Sequence, residues 1–367
     1  MGNYGKFHNE EEMLDELKLI LVLLAKDDSM DIMLDLQELI KGTDWDRFIK
    51  LARHHRVFPL LHRRLQELKT EVIPTFVTHM FNRDYYRNTL QMLGLSGEME
   101  QLAKAFSDNG IRSLFLKGPV IAADLYGDVS LRTSYDLDLL ITFQQLEQAE
   151  KLLLTLGYEK NDYTVSSLND WKWRQYHTTF LHPGKGIKVE LYWRLIPVPS
   201  KEPSFNELWE RKRKSSLINR PIYYLSREDL FLFLVSHGSR RGWSRLRWLL
   251  DIKQIANQSI DWVKLARLLK KHMCLHTGGQ ALLLAARLLS FPLREEMKPL
   301  LSDRKAYWLA EDAMFYVYRS VNLHTSPISD EVNEYHKRYL FSLLTTCQKI
   351  VFIASFIYNW RDKKLES

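Results

Sequence analysis

The chain has 367 residues, of which 46% are hydrophobic and 26% charged, with a formal net charge of +7. That composition excludes a disordered, collagen-like or linker-rich chain, and the length allows two cores, or one core with large helical additions. The positive balance favours anionic partners such as nucleotides, but the excess is small, and no alternation of basic and aromatic residues suggests an RNA-binding sheet, so nucleic acid is not the favoured partner.

In chain order, residues 11–109 read as helices. Met13, Leu17, Ile20, Leu21 and Leu24 recur at helical spacing. Thr43-Asp44-Trp45-Asp46 looks like a helix cap leading into Trp45, Phe48, Ile49 and Ala52, with a pause at Phe58-Pro59. A further helix is predicted over 76–106, stopped by Asn109-Gly110. The pattern then changes to short apolar runs. Strands are predicted over 113–116, 137–141, 176–181 and 187–193, the last two joined as a hairpin by the turn chemistry of residues 182–186. Helices are predicted over 120–126 and 143–156. After Pro203 helices resume: Ser226 caps one with Asp229 three residues on, Trp243, Leu246, Leu249, Leu250 and Ile252 line another, and 261–269, 279–289, 304–319 and 335–358 follow. The expected fold class is α/β (α+β), a small mixed sheet embedded between helical regions. The expected units are a helical region 1–109, an α/β core 110–200 and a helical domain 201–367.

Residues 17–25 are too short to span a bilayer, and 339–360 carries Gln348 and Lys349 at its centre, so no membrane span is expected. The N-terminus, Met1-Gly2-Asn3-Tyr4-Gly5-Lys6, lacks a signal pattern and is a poor myristoylation match. Cys274 and Cys347 have no zinc-type spacing. These readings point to a cytoplasmic protein.

The chemistry concentrates in Ser134-Tyr135-Asp136-Leu137-Asp138-Leu139-Leu140-Ile141. On a strand, Asp136 and Asp138 share a face with Cα atoms roughly 6.5 Å apart, while Tyr135, Leu137 and Leu139 face a core. Two carboxylates that close repel each other, and a divalent cation relieves the repulsion. A solvated strand end carrying Asp-x-Asp by chance is the plainer alternative. Glu190 is the charge in the apolar strand Ile187-Lys188-Val189-Glu190-Leu191-Tyr192-Trp193. Beside the Asp136 strand it supplies a third carboxylate for Mg²⁺ (or Mn²⁺); otherwise it is a salt-bridge partner of Lys188 or of a neighbouring strand. Upstream, Lys117-Gly118 joins a strand to a helix whose first N–H groups can hold phosphate oxygens. Gly118 lets phosphate approach without a Cβ, and Lys117 and Arg132 are available for developing negative charge.

The run Phe115-Leu116-Lys117-Gly118, then Leu125-Tyr126-Gly127, then Arg132 and Asp136-Leu137-Asp138-Leu139-Leu140, resembles the uncharacterised bacterial nucleotidyltransferases of the DNA-polymerase-β-like superfamily. Val189-Glu190-Leu191-Tyr192-Trp193-Arg194 is similar to that family's third-carboxylate strand, where a histidine often replaces Tyr192. His237-Gly238, Trp243 and Arg247-Trp248-Leu249-Leu250-Asp251-Ile252 are similar to its C-terminal helical signature, and Trp45 to Leu61 to its N-terminal segment. The resemblance implies a metal-dependent transferase with an NTP as donor and Asp136, Asp138 and Glu190 as metal ligands. Lys117, Gly118, Arg132, Ser134, His237 and Arg240 are the candidates for nucleotide binding. The chain departs from the superfamily in having Lys-Gly where Gly-Gly or Gly-Ser is usual, and in the 17 residues between Gly118 and Asp136. Some relatives lie beside genes for modified bacterial peptides, lasso peptides among them, so the expected acceptor is an unidentified peptide or small molecule.

Other readings of single residues stay open. His237 contacts phosphate or acceptor, or makes a structural hydrogen bond. Asp251 makes a structural polar contact with Arg247, four residues back. Trp243 and Trp248 pack in the core, and His177 sits near the metal face. The rival functions are a nucleotide-sugar-dependent transferase, which also uses Asp-x-Asp, and a noncatalytic helical adaptor around a relic core.

Overall fold

The structure, a computed structural model, describes residues 13–25, 38–68, 73–161, 176–196, 201–218, 220–323 and 328–354. The N-terminal residues 1–12 and the predicted end of the last helix beyond 354 lie outside them.

The apolar repeat after Met13 forms α1 (Asp15–Ala25), with Leu17, Leu19 and Ile20 fully in the core. Among the described residues no helix is long and apolar enough to cross a membrane. Asp44 caps α2 (Trp45–His54) by accepting from the Arg47 N–H. The predicted pause at Phe58-Pro59 falls earlier, at 55–57, where Arg56 turns the chain with φ 57°. Helix α3 (Phe58–Leu68) starts on Phe58, because Pro59 sits in the first turn, where its missing N–H costs nothing. Helix α4 (Thr75–Asp108) is a single rod of 34 residues, about 51 Å long at 1.5 Å per residue. From it Asn88 donates to the Ser130 carbonyl at 2.7 Å and fixes the approach to the central sheet.

That sheet contains β1 (Ser113–Phe115), β2 (Asp136–Ile141), β3 (Glu159–Lys160), β4 (His177–His182), β5 (Ile187–Tyr192), β6 (Arg213–Lys214) and β7 (Tyr223–Tyr224), in the order β3-β4-β5-β2-β1-β7-β6. It is mixed: β2 runs parallel to β5 and β1 to β7, and the other pairs are antiparallel. The hairpin β4–β5 turns at 183–186, as its turn residues predict. Strands β6 and β7 have no counterpart in the sequence reading. Two residues each are too few for alternation to show, and their chain lies past Pro203. Between strands, α5 (Pro119–Tyr126) follows β1, and α6 (Leu146–Thr155) follows a short 3-10 turn at Phe143–Gln145.

The C-terminal region is helical: α7 (Phe205–Glu210), α8 (Arg227–Arg240), α9 (Leu246–Ala256), α10 (Trp262–Lys271), α11 (Leu275–Leu289), α12 (Lys298–Leu301), α13 (Arg304–Tyr318) and α14 (Asp330–Leu343). Ser226 caps α8 by accepting from the Asp229 N–H, as expected. Trp243, predicted on the following helix, instead stands in the turn before α9 with φ 53°. Its fully buried ring lies against Gly238, where a Cβ would collide with it. The single last helix predicted from 335 is broken: Leu344 leaves helical geometry at ψ 136° and residues 346–354 start anew. The break has a signature in Thr345-x-x-Gln348, a capping box in which Gln348 Oε1 accepts from Thr345 N at 2.9 Å and Thr345 Oγ1 from Gln348 N at 3.4 Å.

Candidate active site

Strand β2 is held by its apolar face. Leu137, Leu139 and Ile141 are fully buried against the helices, so the pleat turns Asp136 and Asp138 to the other side. In the parallel ladder Asp136 pairs with Lys188 and Asp138 with Glu190. Residues directly opposite in register share a face, so all three carboxylates stand on one side of the sheet. Val189 and Leu191 are buried on the other side. Tyr135 does not enter the core: it precedes the strand, is 53% exposed, and lies under the Arg56 guanidinium at 4.6 Å.

Asp138 is fully buried, and Lys117 Nζ is 2.8 Å from its Oδ1. Its Oδ2 has no hydrogen-bond partner. Burial, reinforced by the negative charges of Asp136 and Glu190, pushes the Asp138 carboxyl up to about 7 against the pull of Lys117. Burial also acts to raise Glu190, but Lys117, Lys188 and His177 outweigh it and bring that carboxyl down to about 2. Lys188 donates to Glu190 Oε1, and the Tyr192 hydroxyl donates to Oε2 at 2.7 Å. His177 pairs with Tyr192 across β4–β5 and stacks on its ring at 4.9 Å, which places it on the carboxylate face. Among the described residues no three His, Cys, Asp or Glu side chains converge closely enough to hold a metal ion. Lysines occupy the carboxylates instead. The donor chemistry still suits a hard divalent cation: three carboxylates on one face, one of them wholly desolvated with an oxygen left over.

Beside the start of β2, Gly118 opens α5 with φ 85° and ψ −150°, a conformation open only to glycine. A Cβ there would come 3.4 Å from Leu137 Cδ2 and 3.7 Å from the Asp136 carbonyl. The helix start therefore lies against the first residues of β2, with Lys117 folded beneath it. Ser134 Oγ donates to the Asp136 carbonyl at 3.1 Å and braces the strand's entry.

The structure puts Arg132 behind the site. Its guanidinium is almost completely buried and grips Asp251 through Nε and Nη2, both at 2.9 Å. The Tyr126 hydroxyl completes the Asp251 shell at 2.8 Å. The expected Asp251–Arg247 contact gives way to this pair, and Arg247 donates to the Thr133 carbonyl. His237 is held among aromatic rings, 5.5 Å from that of Trp248, and burial with the nearby charge of Lys117 keeps it well below the usual histidine range. Trp248 is buried, as expected.

Sequence reasoning missed a cluster of arginines at the entry to β2. Arg56 comes from the turn after α2, Arg245 from the loop before α9 and Arg247 from α9. They are brought together because His55 accepts from the backbone of Leu246 and Arg247 at 3.4 and 3.3 Å. Arg56 and Arg245 pair with no carboxylate among the described residues, and Arg247 Nε is buried without a partner. Burial first and repulsion from neighbouring guanidiniums second, that of Arg132 foremost for Arg247, bring Arg56 and Arg245 down to about 10 and Arg247 to about 9. The sequence signal was weak: one arginine at 56 and a pair at 245 and 247, nearly 200 residues on.

A small mixed sheet that sets an Asp-x-Asp strand beside a third acidic strand, with a glycine-led helix starting against the first of them, is a polymerase-β-like core between helical regions. The family of uncharacterised nucleotidyltransferases matches residues 41–290, well over half of the chain, and the chain belongs to that family. No curated protein matches it.

Proposed function

We propose that this chain transfers a nucleoside monophosphate from an NTP to a hydroxyl or phosphate of a second molecule. Asp136, Asp138 and Glu190 would hold Mg²⁺ or Mn²⁺. The observation that carries the reading is the register that sets Asp138 opposite Glu190 on one face, two residues along from Asp136. The ion, when bound, supplies positive charge to the phosphate under attack and acidifies the acceptor oxygen.

The chain's own groups do the rest. The N–H groups at the start of α5 orient the phosphates, and Gly118 leaves them room. Lys117 Nζ supplies charge beside the carboxylates. Arg56, Arg245 and Arg247 form the cationic basin for the departing pyrophosphate, a role that Arg132, locked to Asp251, fills only by bracing Thr133 and Ser134 from behind. As the acceptor oxygen bonds to the α-phosphorus, the bond to pyrophosphate breaks, and Glu190 receives the acceptor's proton. His237 and Arg240 face the acceptor side. In this reading residues 110–200 are the catalytic core of a cytoplasmic enzyme, and the helical regions 1–109 and 201–367 are its walls.

The test is Asp138→Asn. Transfer from radiolabelled NTPs should fall at least a thousandfold with the far-ultraviolet circular dichroism unchanged. Near-normal transfer by the folded variant removes the assignment. Mass spectrometry of the modified acceptor separates a nucleotidyl adduct from a hexose, the product of a nucleotide-sugar donor.

A further inference from the structure

Two adjoining cavities lie along α8, and the smaller of them opens beside the carboxylate face at Tyr192. The smaller, about 250 Å³, is lined by Tyr176, Tyr192, His237, Arg240, Arg241 and His336 among others. It reaches the carboxylates through Tyr192, whose hydroxyl holds Glu190. The larger, about 480 Å³, lies between α8, α11 and α14, with Met273, Leu340, Phe341, Leu343 and Phe352 in its mostly apolar wall. The two share Ser236, Arg240 and Leu340, so Arg240 stands at the passage from one to the other. Among the described residues no carboxylate lines either cavity. Arg240 and Arg241 pair with no acid among the described residues, and Arg240 is packed over the Tyr176 ring at 5.6 Å.

We propose that the linked cavities are the acceptor site, and that the acceptor is a phosphate monoester with an apolar body. The apolar body fills the larger cavity, and the phosphate rests on Arg240 and Arg241 at the end facing Tyr192 and Glu190. The size suits such a molecule, since ligand pockets run from about 300 to 1,000 Å³. Charge selects the head group. Two adjacent guanidiniums, with no carboxylate beside them among the described residues, match the roughly −1.5 to −2 charge of a phosphate monoester better than the single charge of a carboxylate. Burial, with Arg241 alongside, already pulls the Arg240 pKa down, the strain that an anion would relieve. This inference rests on the transferase reading and names its acceptor. A phosphate oxygen of the ester bonds to the α-phosphorus of the NTP, pyrophosphate leaves with the bond electrons, and the product is a nucleoside diphosphate ester of the apolar group.

Binding tests the site apart from catalysis. The full chain is titrated calorimetrically with 4-phenylbutyl phosphate, 4-phenylbutanoate and 4-phenylbutanol, without NTP. The phosphate should bind at least tenfold more tightly than the other two. Arg240→Gln should weaken it tenfold, and so should Leu340→Asp, which places an acid on a half-buried wall position shared by both cavities; each variant's thermal melt is checked first. Asp138→Asn should keep the binding and lose transfer. An alcohol that binds as well as the phosphate overturns the proposal in favour of a plain apolar pocket. No saturable binding overturns it in favour of a cavity filled by the chain's own residues or by a partner protein. Phosphate binding that both wall variants leave intact places the ligand elsewhere. Transfer that survives Asp138→Asn instead strikes the transferase reading and leaves the binding result standing.

Discussion

Asp251→Asn tests whether Arg132 is a clamp or a phosphate ligand. In the native chain Asp251 accepts from Arg132 at 2.9, 2.9 and 3.2 Å and from the Tyr126 hydroxyl at 2.8 Å, with both members of the pair at or near zero exposure. The amide keeps the shape and the Tyr126 bond but leaves a guanidinium buried without its counter-charge. Breaking such a pair from one side costs about 3–5 kcal/mol, which lowers Tm by something on the order of 10 °C. Thermal and urea unfolding followed by circular dichroism measure it. The double variant Asp251→Asn with Arg132→Met should recover half of the loss or more, because the stranded charge is gone. If Arg132 served phosphate directly, releasing it from Asp251 would tighten NTP binding; the clamp predicts unchanged or weaker binding. A single variant within 1 kcal/mol of the native chain, or one that binds NTP more tightly, refutes the reasoning.

Gly118→Ala forces a side chain into a backbone region reserved for glycine and should cost about 1–3 kcal/mol, with a KM for NTP raised at least tenfold in steady-state assays. Arg56→Gln and Arg245→Gln should each raise that KM by about tenfold or more, since a charge-assisted bond is worth roughly 1.5–3 kcal/mol, and leave Tm nearly unchanged; an unaltered KM in both removes the basin from the donor site. Stability should fall as pH drops from about 6.5 towards 4. Burial, with Lys305 nearby, brings His276 down to about 4, while its Nε2 sits 2.7 Å from the Leu343 carbonyl. The folded state thus refuses a proton that the unfolded chain accepts, so this contribution is complete above pH 6.5 and lost on acidification, at up to about 1.4 kcal/mol per pH unit. His276→Gln should flatten that slope in urea titrations run at each pH.

The strand pair that carries the carboxylates was legible because alternation in 136–139 and 187–193 is clean, and a period of two leaves no freedom about which face Asp136, Asp138 and Glu190 occupy. Cap residues were equally readable where one side chain decides the geometry, as at Ser226. What escaped depends on partners far away in sequence. Nothing local says that Arg132 will meet Asp251, 119 residues on, rather than a phosphate. The choice of Arg247 as partner of Asp251 followed helix spacing, but Arg247 points to Thr133 because α9 crosses behind the entry to β2. The arginine basin is the clearest case: Arg56 and Arg245 become neighbours only when the turn after α2 docks on the start of α9. Trp243 was misplaced for another reason. Its left-handed backbone breaks helical periodicity, while its burial, the signal that periodicity reads, is complete.

The same lysines explain how three carboxylates share a face without converging on a point. Bare, Asp136, Asp138 and Glu190 would bring three negative charges together, one of them with no access to water. Lys117 on Asp138 and Lys188 on Glu190 offset that charge, so the chain folds around its acidic centre without waiting for an ion. On the proposed reading ion binding would be an exchange rather than an addition: a divalent cation would take the carboxylates, and Lys117 and Lys188 would be freed towards the phosphates. Both would be side-chain rotations: Lys188 stands on β5, whose backbone is held by the buried Val189 and Leu191, and Lys117 in the turn between β1 and α5. The exchange would also couple donor to metal. An NTP brings negative charge that the freed ammonium groups can meet, so nucleotide and ion should each bind more tightly in the presence of the other. Lys117→Met would break that coupling while leaving Asp138 in place, and calorimetric titration of Mg²⁺ with and without NTP reads it directly. An equal Mg²⁺ affinity in both titrations of the native chain would show that the lysines are fixed structural partners and that the exchange does not occur.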